Sequence, residues 1–167
     1  MPDDELRDFV RVRYLDLLRM AYLLTGSWPG AEDLVQSVLV KVMGRWSRID
    51  DPMAYLRRAM VNQQSSVWHR LRAEVLTARL PERPVAGDVS EEAAQRDELM
   101  RALATLPPRT RAVVVLRYWE DLSEAETAQI LGCSVGAVKS QGSRGLAQLR
   151  TALRPRKTFV GGPSDGR

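Results

Sequence analysis

The chain has 167 residues, 44% hydrophobic and 28% charged, with a formal net charge of +4, which is enough apolar material for a core and excludes wholesale disorder. Its one cysteine, Cys133, and one histidine, His69, exclude an internal disulfide and a zinc cluster. No apolar run approaches the ~18 residues of a membrane span, and the acidic start MPDDELRDF lacks a signal-peptide layout, so a soluble cytoplasmic protein without membrane contact is expected.

The pattern is helical almost throughout. Leu6, Phe9, Val10, Tyr14, Leu17, Leu18, Ala21 and Leu24 recur at helical spacing and predict a first helix ending near Gly26. A second is predicted from about Gly30 to Trp46, with Ala31, Leu34, Val35, Val38, Val42 and Trp46 on one stripe. Asp51 as N-cap and Pro52 at the first helical position open a third, which continues through Leu56, Met60, Val67 and Leu71 to about Ala78. No segment alternates with period two for long enough to be a strand. Residues 80–92, LPERPVAGDVSEE, have the prolines, glycine and charge of a linker. Helical patterning resumes from about Ala93 to Leu106, breaks at Pro107-Pro108 and returns through Tyr118, with shorter segments at Ser123–Leu131 and Ser134–Leu153. The tail PRKTFVGGPSDGR has the composition of a disordered end.

Charge is segregated. Residues 52–79 carry Arg57, Arg58, Arg70, Arg72 and Arg79 against Glu74 alone, and residues 132–157 carry Lys139, Arg144, Arg150, Arg154, Arg156 and Lys157 with no acid. Two separated basic segments suit two phosphate-contacting surfaces; solvated helix faces are the plainer alternative.

Residues 122–139, LSEAETAQILGCSVGAVK, hold the most specific signal. Ser123 and Glu126 form a capping box, Gly132 stands where a helix ends with a left-handed residue, and Ser134 caps a new helix whose inward face is Val135 and Val138. Two short helices joined by a glycine-containing turn have the layout of a helix-turn-helix, whose second helix normally enters the major groove; an ordinary αα-hairpin is the plainer alternative. Cys133 is read as a small buried residue of the turn.

Residues 106–150 resemble the C-terminal domain of bacterial sigma factors of the extracytoplasmic-function (ECF) group. AEDLVQSVLVKV (31–42) and DPMAYLRRAMVNQQSSVWHRLR (51–72) resemble the polymerase-binding and minus-ten-reading helices of the group's N-terminal domain; within the group the likeness is to the actinobacterial SigE-like family. The resemblance implies an all-α fold of two small helical domains: a sigma region 2-like bundle (1–79), a flexible linker (80–92), a region 4-like helix-turn-helix domain (93–154) and a disordered tail (155–167). It implies binding to core RNA polymerase, at the clamp of the largest subunit and the flap of the second-largest, and direction of the enzyme to promoter DNA; an anti-sigma factor is a further candidate partner. Asp33, Leu34 and Gln36 match polymerase-gripping positions. Arg57 and Arg58 suit phosphate contact, Asn62 and Gln63 carry amides able to read adenine, and Trp68, like Trp46, is either a stacking platform or core. The group flips a promoter base into a pocket whose counterpart here is the loop Ser47–Asp50. For the minus-thirty-five element the matching residues are Ser134, Gly136, Ala137, Lys139, Ser140, Ser143 and Arg144.

No phosphate loop, metalloprotease motif or serine elbow is present, so no enzymatic activity, cofactor, metal or small-molecule substrate is expected. The competing reading is an autonomous helix-turn-helix regulator, which leaves DLVQ and RRAMVNQQ unexplained. In the last helix Gly142 falls on the inward stripe and Gly145 on its edge; Gly142 and Gln141 depart from the group's leucine-like residue and arginine. Gly142 is expected to let the helix approach Trp119 or Tyr118 closely.

Overall fold

A computed structural model describes the backbone of residues 1–75 and 90–154, and the side chains of 1–65 and 90–154. Those residues form α1 (Pro2–Thr25), α2 (Trp28–Met43), α3 (Pro52–Val75), α4 (Glu91–Ala104), α5 (Pro108–Val114), α6 (Glu124–Leu131) and α7 (Val135–Ala152), with a 3-10 turn at Trp46–Arg48 and a π-helical turn at Val115–Trp119. No strand occurs among the described residues, so the expected all-α class holds. Most of the linker, 80–89, and the tail from 155 lie outside them.

Local chemistry sets the boundaries. α1 ends at Gly26, whose φ of 87° is left-handed and free of strain only for glycine. α2 starts earlier than the periodicity suggests: the Ser27 hydroxyl accepts from the Gly30 amide at 3.1 Å, and Pro29 is tolerated in a first turn that has no backbone donor to lose. Asp51 caps α3 as expected, its carboxylate accepting from Ala54 N–H at 3.1 Å. Ser90 caps α4, so that helix begins two residues before the expected Ala93.

α1, α2 and α3 form one bundle, and α5, α6 and α7 a second with α4 against α7. The bundles pack on each other: α3 lies on α5 and α6, and α1 on α5 and the π turn. One apolar cluster runs through both, joining Leu17, Leu24, Leu56 and Val61 to Leu106, Ala112, Leu116 and Ile130. Each fully buried leucine of this kind contributes about 1.5–3 kcal/mol. Trp46 belongs to it, its ring 5.1 Å from that of Phe9, and is core rather than a stacking platform.

Candidate nucleic-acid and polymerase interfaces

The helix-turn-helix is built as its sequence requires. The Glu126 amide donates to the Ser123 hydroxyl at 3.1 Å, and the Ser123 amide donates to the Glu126 carboxylate at 2.7 Å. That bond from the Ser123 backbone, with the Ser123 side-chain bond next, holds the Glu126 carboxyl below the ordinary glutamate range. Gly132 closes α6 with φ 63°, and the Ser134 hydroxyl accepts from the Ala137 amide at 3.1 Å to open α7. Val113, Ala128 and Val138 form a small core beneath the turn, with Cys133 packed against it. Val135, expected to face inward beside Val138, is instead 40% exposed.

This leaves one face of α7 outward. Ser134, Gly136, Lys139, Ser140, Ser143 and Arg144 are exposed and Ala137 is half-buried, so all seven expected minus-thirty-five residues fall on the accessible side. Lys139 stands 3.9 Å from Glu124, which Arg117 also approaches at 3.9 Å; exposed pairs at this distance are weak and leave Lys139 available to a phosphate. Gly142 is buried, nearest Val113, with the Tyr118 hydroxyl next and Trp119 not among its neighbours. The tight approach is instead at Gly145, where an added Cβ would stand 2.6 Å from Val114 and 3.0 Å from Thr110.

The expected minus-ten residues divide into different environments. Arg58 and Asn62 are exposed. Gln63 is tied back to α2, its carbonyl accepting from Lys41 Nζ at 2.7 Å and its amide donating to Ser37 at 2.6 Å. Arg57 is turned to the second bundle and paired with Glu120. The Trp68 side chain lies outside the described residues. Beside Arg58 an open cleft of about 650 Å³ is lined by Arg45, Arg48, Tyr55 and, from α6, Gln129.

On α2, Asp33 and Gln36 are exposed, whereas Leu34, expected to share the polymerase contact, is 4% exposed and turned into the core. Sequence reasoning missed Val40 and Met43, 68% and 58% exposed, which continue the Asp33–Gln36 row at helical spacing. That spacing was the signal that could have found them. It also missed Glu120 and Arg111, whose partners lie in the other bundle.

A capped helix-turn-helix with an outward polar and basic face, joined to a second helical bundle, defines a helical DNA-binding protein. Residues 96–149 match the family described as Sigma-70, region 4. The chain is 45% identical over 153 residues to the RNA polymerase sigma-E factor of Streptomyces coelicolor, covering 89% of this chain and 86% of that one. It is 33% identical over 156 residues to the ECF RNA polymerase sigma factor SigE of Mycolicibacterium smegmatis, covering 87% of this chain and 60% of the relative. Among solved structures, the sigma factor RpoE of Bartonella quintana, in complex with the anti-sigma factor NepR, has the same fold, with TM-score 0.76 and 22% identity over 92% of this chain and 99% of that one. The chain belongs to the ECF RNA polymerase sigma factors, on their SigE-like branch, and its function is promoter recognition in transcription initiation. Membership decides between a sigma factor and an autonomous regulator. Among the described residues no helix is long and apolar enough to cross a membrane.

Proposed function

We propose that the first bundle with its α3 extension (1–79) binds core polymerase and reads and melts the minus-ten element, and that the second (93–154) reads the minus-thirty-five element. The chain acts in the cytoplasm as a specificity subunit, and the chemistry of RNA synthesis belongs to the polymerase. The observation that carries the reading is the exposed α7 row of Lys139, Ser140, Ser143 and Arg144 on a fully capped helix-turn-helix. Hydroxyls and cationic side chains on the first turns of such a helix reach base edges and phosphates of the major groove. On the opposite bundle the exposed Asp33 and Gln36 of α2 grip the clamp of the largest subunit, while Leu34 holds the helix in place from within. The solved relative in complex with an anti-sigma factor supports an anti-sigma factor as a further partner here.

The test is transcription in vitro with core polymerase and a randomised promoter library. The wild-type chain selects promoters with two conserved elements, and Arg144→Ala lowers use of those that depend on the upstream one. The loss is about 1–3 kcal/mol if Arg144 reads a base, and a uniform weakening if it meets only phosphate. Sequence-specific binding to duplex DNA without polymerase would overturn the reading.

A further inference from the structure

We propose that Glu124, at the start of α6, is a positioning residue that sets what Lys139 recognises: the acid steers the lysine ammonium away from phosphates and onto a neutral acceptor of a base edge. This rests on the reading of α7 as the helix that meets the minus-thirty-five element. Glu124 lies between two cations, with Oε1 3.9 Å from Arg117 Nη2 and Oε2 3.9 Å from Lys139 Nζ. Arg117 is fixed: its Nη1 donates to the Leu122 carbonyl, and its guanidinium stands 5.7 Å from the centroid of the Tyr118 ring. Lys139 is not, with 67% of its side chain exposed. Glu124 Oε2 is itself buried and accepts no hydrogen bond among the described residues. A carboxylate oxygen withdrawn from water without a donor is costly, so the nearby ammonium is drawn toward it. An acid in the first turn of α6 also complements the positive end of that helix, but that role leaves the direction of Oε2 toward Lys139 unexplained.

The arrangement changes what can approach Lys139. An exposed pair at 3.9 Å is weak, so the ammonium remains available to DNA. A phosphate that met it would bring a full negative charge close to the Glu124 carboxylate, and the two repel across a partly desolvated interface. A base edge carries no net charge, and the N7 and O6 acceptors of guanine meet the same ammonium without that penalty. The acid therefore weakens phosphate contact more than base contact, which is specificity gained from a repulsive element. No acid occurs in α7 itself, so its outward row depends on α6 for this charge. Arg144 provides the contrast within that row. It is exposed, forms no ion pair among the described residues, and keeps its full attraction for phosphate.

The experiment uses the full chain assembled with core polymerase, promoters randomised in the upstream element, and Glu124→Gln, which keeps the side chain's size and removes its charge. Two quantities are read: the base preference at each position, and the salt dependence of holoenzyme binding. In the wild type one position is expected to favour guanine, on either strand. Glu124→Gln is expected to relax that preference about tenfold. It is also expected to steepen the slope of log affinity against log salt by about one, as Lys139 takes up a phosphate. In a Lys139→Ala background the same substitution is expected to change neither quantity. Ser123→Ala, which loosens the α6 cap and leaves the Glu124 charge in place, is expected to keep the preference. No guanine preference in the wild type, an unchanged preference or slope in Glu124→Gln, the same change in the Lys139→Ala background, or equal relaxation by Ser123→Ala would each overturn the role of Glu124. Lys139→Ala with wild-type preference and slope would instead reject Lys139 as a DNA contact, and the proposal with it.

Discussion

A single methyl group separates the two inner glycines of α7. At Gly145 it would meet Val114 at 2.6 Å and Thr110 at 3.0 Å, whereas at Gly142 it would meet Val113 at 3.7 Å, an ordinary contact. Gly145→Ala is therefore expected to overpack the α5–α7 contact and cost about 1–3 kcal/mol, read as a lower melting temperature. Gly142→Ala is expected to be neutral or to gain up to ~1 kcal/mol from helix propensity. A reversed order of the two melting temperatures would contradict the packing. The inward position of Gly142 was legible from a 100° projection of the sequence. Its neighbours were only half legible: Tyr118 was foreseen, Val113 was not, and the demanding position was Gly145. Spacing along one helix says which way a residue faces; how close the next helix comes is decided by Thr110 and Val114 on α5.

Among the elements, α6 is the one whose limits were most fully written in the sequence. Ser123, Glu126 and Gly132 occupy the positions their chemistry predicts, because capping is a contract between residues three or four apart. Ser123→Ala is expected to cost about 0.5–2 kcal/mol, visible in thermal unfolding at neutral pH. The Glu126 carboxyl titrates below its ordinary value of 4.5 in the folded chain. Its contribution is thus complete above that value and is lost as the pH falls through the lower folded one. Replacing it, Glu126→Gln, should flatten that part of the acid dependence; an unchanged acid profile would remove Glu126 from the capping account. Elsewhere local rules were overridden. α2 begins at Trp28, whose ring stacks on Tyr22 at 4.1 Å, a tertiary contact that a Pro29-Gly30 pair in sequence conceals. The π-helical turn depends on bonds such as Glu120 N–H to Val115 carbonyl at 3.0 Å, for which no residue pattern is diagnostic.

The whole molecule presents its exposed rows on different elements, Asp33 and Gln36 on α2, proposed to meet the polymerase, and Lys139, Ser140, Ser143 and Arg144 on α7, proposed to meet DNA. Asp33→Ala combined with Gln36→Ala should weaken core binding by roughly tenfold or more without loss of helicity, measured by competition for core against an unmodified sigma factor. Unchanged affinity would remove α2 from the polymerase contact. The division into two halves was legible because a proline-rich stretch interrupts two strong helical patterns. The seam between them was not. Arg57 reads in sequence as one more arginine of a basic helix, and Glu120 as one more acid near a turn. Arg111 lies in a run of small and apolar residues, yet its guanidinium is buried beside α1, which pushes it down to about 10, still protonated at neutral pH.

The π-helical turn makes the aim of this molecule a matter of length as well as composition. Val115–Trp119 holds one residue more per turn than an α-helix needs. An extra residue in an unbroken α-helix would swing everything after it by about 100° around the axis, whereas the wider π turn absorbs that residue and leaves the following chain on course. With the residue absorbed, Glu120 meets Arg57 and the helix-turn-helix follows on the same course. A deletion of one residue in this segment would close it to an ordinary α-helix, and would disturb that aim less than a deletion in a regular turn of α5.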